Sequence, residues 1–402
     1  MGASLPKPPS ILFVNRVFPP DRGASGRCLA DLAGRAARAG WRTTVLADGG
    51  GPVEAPRGVT VLRTGGGGLG RPGVRGYLAA LARLVARGTA LPRHDLVVTM
   101  TDPPLLALAG PLLALRHGAT LHWCHDLFPA LLPVVSMRLP APLARTLEAA
   151  MAGALRRHDA VVAIGRCMAQ RLSELRVPEE RMSVLPNWGD PAIRPLPRRA
   201  SLLRKELGLG ERFVVAYAGN FGLAHPLGAL LDAAAALPEI AFLLVGDGRG
   251  HAAVAEAACG LENVYRLPFQ PAVRLADTLA AADLHVAAMD PRAEGLLVPC
   301  KVAGALAAGR PCLFLGPQGS EAALTIREHG CGMVLDPADS AGLVATLRSY
   351  AGDPVRCTEE GMLARTAAAW DADAAATRFL ALAAALLPVP RGAAVALGAG
   401  HG

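Results

Sequence analysis

Short apolar runs recur along this chain, separated by longer stretches whose apolar residues are spaced for helices. The runs at residues 10–15 (SILFVN), 42–47, 58–63, 95–100, 119–124, 159–164 and 182–187 predict strands buried on both faces. Between them the spacing predicts helices ending near Ala39, over 74–88, 104–116 and 139–157, and ending near Arg176. Residues 190–199 (DPAIRPLPRR) carry prolines and no periodicity, and read as a linker. The pattern then restarts, with strands predicted at 213–219, 240–246, 263–269, 283–288, 311–316 and 331–336. Helices are expected at 338–351, 354–369 and 371–387, and the tail 388–402 is expected to be disordered. Apolar strands alternating with helices mean βαβ units and parallel sheets covered on both faces. The chain therefore reads as α/β, with two doubly wound Rossmann-like domains, 1–192 and 193–387, facing across a cleft. The last helix can pack back on the first domain. In such sheets ligands bind beyond the carboxyl ends of the strands.

One stretch of the second half, EGLLVPCKVAGALAAGRP (294–311), carries more than strand and helix signals. An acidic loop, Glu294-Gly295, leads into a helix at Pro299-Cys300-Lys301 that ends at Gly309, with proline and glycine as punctuation. An interior glycine costs roughly 1 kcal/mol relative to alanine, so Gly304 points to close packing or to close approach of a ligand. Lys301 falls in the first turn, where backbone N–H groups are unpaired and the helix dipole is positive. A lysine does not stabilise a helix there, but it suits a bound anion such as a diphosphate. The alternative is a solvated surface lysine.

Composition adds a bias of charge. Hydrophobic residues make up 52% of the chain and charged ones 18%, enough apolar content for two cores. The net charge is +8, with 41 basic and 33 acidic side chains. Residues 1–195 hold 24 Lys and Arg against 13 Asp and Glu, whereas residues 196–402 hold 17 against 20. A basic first half suggests an anionic partner there, or only a habit of arginine usage. Aromatic residues are 4%, which disfavours stacking platforms for nucleic acid and leaves an anionic membrane surface or a phosphorylated acceptor. The eight cysteines form no CxxC pair and are expected to be buried, reduced thiols, as in a cytoplasmic protein. The first ten residues lack the apolar core of a signal peptide, and no apolar run reaches the ~18 residues of a membrane span.

Several smaller features could carry chemistry. Gly23 and Gly26 lie between the first strand and first helix, where backbone amides can approach a phosphate or sugar; a plain strand–helix turn is the alternative. His125-Asp126 follows a strand end, with a capping or packing pair as the plainer reading. Asp126 can orient an acceptor or act as its base. Two motifs carry less. GGGGLG (65–70) satisfies GxGxxG, but it is not on the first strand and no acidic residue follows about 20 positions on. Asp371-Ala-Asp373 imitates a metal-binding DxD, yet it precedes a helical run, where capping explains it.

Taken together, PPDRGASGR, TMTDPPLL, His125-Asp126, VLPNW (184–188), YAGNFGLAH (217–225), VGDG (245–248) and EGLLVPCK…AAGRP resemble the GT-B glycosyltransferases. The likeness is to the retaining family 4 and its bacterial polysaccharide-building branch, over about residues 10–385. The resemblance implies a metal-independent glycosyltransferase that needs no cofactor. Its first domain would bind the acceptor and its second the nucleotide-sugar donor. It implies catalytic roles for His125, Asp126 and Glu294. It implies donor contacts from Gly23, Gly26, Asn220, His225, Gly246, Phe269, Glu294, Gly295, Leu296 and Lys301. The donor is expected to be UDP-linked, the acceptor a glycan or polyprenyl-diphosphate-linked sugar, and the outcome retention. The expected place is the cytoplasm, peripheral on the inner face of the plasma membrane, with no nucleic-acid partner.

The chain also departs from the family pattern. Many members carry an arginine and a lysine where this sequence has Asn220 and His225, and a second glutamate where it has Gly304. The phosphate contact is thereby shifted to Lys301, Asn220 and backbone amides. Two rival functions stay open: a nucleotide-sugar 2-epimerase of the same shape, and a catalytically silent partner of another transferase.

Overall fold

Among the described residues, thirteen strands pair in parallel into two sheets. The structure, a computed structural model, describes residues 7–21, 23–51, 53–66, 73–366 and 372–388. The chain divides into two compact units. One comprises Met1–Trp123, Ala154–Val161 and Ala376–Gly402, the other Cys124–Gly153 and Val162–Ala375.

The first sheet is built from β1 (Ser10–Val14), β2 (Arg42–Ala47), β3 (Val59–Arg63), β4 (Leu96–Thr99), β5 (Ala119–Cys124), β6 (Ala160–Ala163) and β7 (Met182–Val184), in the order β3-β2-β1-β4-β5-β6-β7. Its helices are α1 (Ala24–Arg38), α2 (Val74–Ala90), α3 (Gly110–Ala114), α4 (Ala141–Leu155) and α5 (Arg166–Glu174). Side chains alternate along a strand, so β1 serves two faces. Leu12 and Val14 join Leu46, Leu84, Val97 and Leu113 in one cluster. Phe13 points the other way, toward Phe379, which also meets Trp123 at a ring distance of 5.2 Å. Full burial of a side chain such as Phe379 contributes about 1.5–3 kcal/mol.

The second sheet contains β8 (Val214–Asn220), β9 (Ala241–Asp247), β10 (Val264–Leu267), β11 (Leu284–Ala288), β12 (Cys312–Leu315) and β13 (Gly332–Leu335), in the order β10-β9-β8-β11-β12-β13. Its helices run from α6 (Leu202–Glu206) through α7 (Gly228–Ala236), α8 (His251–Ala257), α9 (Leu275–Ala280), α10 (Lys301–Ala307), α11 (Glu321–His329) and α12 (Ser340–Gly352) to α13 (Pro354–Thr366). The helix α14 (Ala372–Ala385) follows. Val215, Tyr217, Phe242 and Leu244 pack with α7 and α12 on one face, while Val214, Ala216, Leu243 and Val245 form a second cluster on the other.

The strand order reverses between β1 and β4 in one sheet and between β8 and β11 in the other. These two switch points differ. β1 and β4 stay in register over Ile11–Val14, and Met100 N donates to Val14 O beyond them. β8 and β11 pair only at Leu284↔Val215 and His285↔Ala216, so Tyr217–Asn220 and Val286–Ala288 run on without a shared ladder.

Some expectations need correction. The helix expected over 104–116 is a 3-10 turn (Leu106–Ala109) followed by the five-residue α3. Leu105 adopts a left-handed conformation, and Pro111 has no N–H to give to a helical ladder. Cys259 and Cys300 are exposed, unlike the buried Cys124, Cys167, Cys312 and Cys331. A Cβ at Gly304 would have Leu279 as its nearest neighbour, at 3.9 Å, so close packing does not explain that glycine. The proline-rich stretch 190–199 is packed: Ile193 is buried with Leu279 and Ala308, and Leu196 O accepts from Arg310 Nη2 at 2.8 Å. GGGGLG and Asp371 fall partly or wholly outside the described residues, and the tail beyond 388 lies outside them altogether.

Candidate functional site

The gap between β8 and β11 gathers the donor-binding candidates of the second sheet. Asn220 is the last residue of β8, and the loop after it brings His225 back across the gap. His225 Nδ1 lies 2.7 Å from Ala288 O at the end of β11. A carbonyl can only accept, so Nδ1 carries the proton. Burial first, then the charge of Lys301, pushes the His225 pKa down to about 3 against the pull of the Ala288 carbonyl. The ring is therefore neutral and offers Nε2 as an acceptor.

Lys301 reaches the same place from the start of α10. Its Nζ lies 4.9 Å from the centre of the Tyr217 ring. The Tyr217 hydroxyl donates to Asn220 O at 3.0 Å, so one fully buried ring braces both the lysine and the strand end. Burial alone would lower the lysine pKa, but Tyr217 and Cys300 outweigh it and hold it above the ordinary value. Among the described residues Lys301 joins no ion pair; an aromatic face is its neighbour. Because α10 is only seven residues long, its aligned dipole is short, and the lysine's own charge is the main electrostatic feature here.

Glycines make room around this cation. Gly219 has φ +136, and a Cβ on it would sit 3.0 Å from Lys301 Cε. Gly246 pairs with Gly219 across β8 and β9, and a Cβ on Gly246 would come within 1.9 Å of Gly219 O. Only glycine permits that approach. Gly248 lies beside Asn220 Oδ1 in the same way. The result is bare backbone at the carboxyl ends of two strands, next to one lysine, in the crevice where open α/β sheets bind ligands.

A second group lies along the loop after β11. Asp126 and Leu297 form an isolated antiparallel bridge, and Leu127 N donates to Leu296 O at 2.7 Å. This pairing sets the chain just after His125 against Leu296 and Leu297, in the loop that begins with Glu294-Gly295. Gly295 turns with φ +74 against Cys167 O and Arg171 Cγ, where a Cβ would clash. The Glu294 carboxylate packs on Gly319, whose Cβ would meet Oε1. His125 is buried, and burial pushes its pKa down to about 3. Asn187 Nδ2 lies 3.4 Å from His125 Nδ1. Phe269 is half-buried just past β10.

Gly23 and Gly26 belong to the other compact unit. A Cβ on Gly23 would come within 2.8 Å of Val17 Cγ1, and one on Gly26 within 2.9 Å of Val17 O, so both let α1 close on the loop after β1. Among the described residues no group of three or more His, Cys, Asp or Glu side chains gathers to hold a metal ion. None of the described helices is long and apolar enough to cross a membrane. Sequence reasoning gave no role to Gly219, Tyr217 and Asn187, which lie inside the quoted motifs, and passed over Gly319. The adjacency of Gly219 and Gly246 at two strand ends was the available signal, but only strand pairing turns it into a floor.

Two parallel α/β sheets of seven and six strands, with this crevice in the second, define the GT-B glycosyltransferase fold. Sucrose-phosphate synthase from Thermosynechococcus elongatus superposes with a TM-score of 0.76 at 18% identity, covering 94% of this chain and 99% of that one. Anabaena Alr3699/HepE in complex with UDP-glucose superposes with a TM-score of 0.70 at 19% identity, covering 94% and 99%. Residues 25–192 match the family model described as Glycosyltransferase Family 4. The putative colanic acid biosynthesis glycosyl transferase WcaI of Escherichia coli (strain K12) is 27% identical over 198 residues, 47% of this chain and 49% of the relative. The chain thus spans about half the length of the curated relative it matches.

Proposed function

We propose that this protein transfers a sugar from a UDP-linked donor to a glycan or polyprenyl-diphosphate-linked acceptor in cell-surface polysaccharide synthesis, with retention. The observation that carries this reading is Lys301, a cation with an aromatic face for its neighbour, beside the glycine floor of Gly219 and Gly246. The solved neighbours that hold UDP or UDP-glucose support the donor class. The relative named for colanic acid biosynthesis supports the acceptor class.

In this reading Lys301, Asn220 and the strand-end backbone hold the diphosphate. Preorganised positive groups matter most as negative charge builds on the leaving group, so no divalent cation is needed. His225 accepts a hydrogen bond, and Phe269 lies at the nucleoside. His125, Asp126 and Glu294 meet the transferred sugar and the acceptor, with Gly295 and Leu296 shaping that loop. Gly23 and Gly26 bring backbone from the first sheet. The enzyme works in the cytoplasm, docked through its basic first half on anionic lipid. Exposed Arg138 and Arg145 flank the open start of α4 and supply part of that charge.

Calorimetry tests the donor reading. UDP is expected to bind at least tenfold tighter than uridine, since a cation aimed at phosphate contributes on the order of 1.4 kcal/mol or more. Equal affinities would remove the diphosphate site. Transfer assays on polyprenyl-diphosphate sugars, run in excess chelator, then test acceptor and metal independence. Donor-only formation of a hexosamine epimer would instead establish an isomerase.

A further inference from the structure

VLPNW leaves β7 at Val184 and carries Asn187 to the end of β5, where its Nδ2 lies 3.4 Å from His125 Nδ1. The stretch is braced on both sides. Before it, Leu185 N donates to Ala163 O at 2.9 Å, continuing the β6 pairing. After it, Trp188 is buried and Gly189 sits on α10, where a Cβ would come within 2.6 Å of Ala307 Cβ and 3.1 Å of Ala303 O. Asn187 is therefore held on the same helix that begins with Lys301.

We propose that Asn187 is a positioning residue that sets the tautomer of His125. Its amide donates to Nδ1, the ring proton is confined to Nε2, and Nε2 becomes a hydrogen-bond donor toward the transferred sugar. The chemistry is that of a neutral imidazole, which has one donor and one acceptor nitrogen, the choice being set by the neighbour of either. An amide nitrogen has only protons to give, so the facing Nδ1 must accept. Burial keeps the ring neutral, so no second proton competes for Nδ1. A group that must present a fixed donor gains from a rigid support, because a freely exchanging tautomer offers the wrong atom part of the time. The assignment deepens the reading of His125 as the histidine that meets the sugar, and its last clause rests on that reading.

The test is a two-bond proton–nitrogen correlation spectrum of the full chain labelled at histidine nitrogen, with His125 assigned by its loss in His125→Gln. The wild type is expected to show the Nε2–H tautomer near pH 7.5. Asn187→Asp keeps the shape but offers only acceptors, so it should move the proton to Nδ1 or create an imidazolium. Turnover should then fall on the order of tenfold to a hundredfold, with KM for the nucleotide sugar within about twofold. Asn187→Ala should show both tautomers in exchange. An Nδ1–H tautomer in the wild type overturns the proposal, and this measurement needs no variant but the one that assigns the peak. A wild-type pattern retained in Asn187→Asp overturns it too. If the proton moves as expected but neither Asn187→Asp nor His125→Gln slows transfer, Asn187 does set the tautomer, and it is the sugar-contact role of His125 that falls.

Discussion

The two switch points have the same topology and opposite chemistry. At the first, β1 and β4 remain paired to their ends, and the chain beyond them is zipped by Arg16. Its Nε and Nη2 grip both oxygens of Asp102 at 2.6 and 2.8 Å, and its N donates to Asp102 O. Tyr77 covers the guanidinium. At the second, β8 and β11 part after two rungs, and among the described residues the cation in the gap meets no carboxylate. One cation is closed into the fold by its own carboxylate, and the other stands beside bare strand-end backbone. The contrast shows why net charge is a poor guide: the more basic half of the chain closes its switch point with its own carboxylate. The less basic half keeps the open one.

The largest effect should test what both units share, a buried neutral imidazole. His158 is fully buried with Nε2 on Ala107 O, and His285 lies at the last rung of β11 and β8 with Nε2 on Leu279 O. Burial pushes both pKa values down to about 4, against the pull of those carbonyls. A depressed basic group binds fewer protons folded than unfolded. Its stabilisation is complete above the unfolded value near 6.5 and is lost as pH falls toward 4. Each ring should cost about 3 kcal/mol over that window. Melting temperatures measured from pH 7.5 to 4.5 are expected to drop steeply below 6.5; a flat profile would show that neither ring stays neutral in the fold.

Next in size is Lys301→Ala, which should lower kcat/KM about a hundredfold, roughly 2.7 kcal/mol, and erase most of the preference for UDP over uridine. Lys301→Arg should recover part, because charge remains while shape changes. If alanine leaves the UDP preference intact, the open switch point is not the phosphate site.

Arg16→Ala should do the reverse. It strands the Asp102 carboxylate and should cost about 2 kcal/mol of stability in chemical denaturation. Affinity for UDP should stay unchanged in calorimetry. A variant that folds as well as the wild type but binds UDP tenfold worse would abolish the contrast between the two switch points.

The smallest effect separates packing from ligand approach at Gly304. With no atom nearer than 3.9 Å, Gly304→Ala should stabilise α10 by about 1 kcal/mol in denaturant. Unchanged or improved stability together with weaker donor binding would assign the open face of that glycine to the ligand.

The strands were legible because each is a short apolar run that parallel sheets bury on both faces; 42–47 and 119–124 match β2 and β5 residue for residue. The helix over 104–116 was not legible, because its apolar spacing says nothing of the left-handed Leu105 that ends any continuous turn. Lys301 could be singled out from its place at a helix start, and Asn220 and His225 only from the resemblance, which expects a basic pair at those positions. Their meeting could not be read, because it depends on β8 and β11 parting after His285.

By itself, then, the sequence determined the alternation of strands and helices, the two sheets and a short set of polar residues at strand ends. Those follow from local periodicity and from glycine and proline at fixed offsets, which neighbours in the chain impose. The tertiary structure decided which cation meets a carboxylate and which meets an aromatic ring. Arg16 meets Asp102, 86 residues away, and Lys301 meets Tyr217, while Asn187 meets His125 across 62 residues. Such pairings depend on strand order and on where a ladder stops, and no local pattern of residues encodes either.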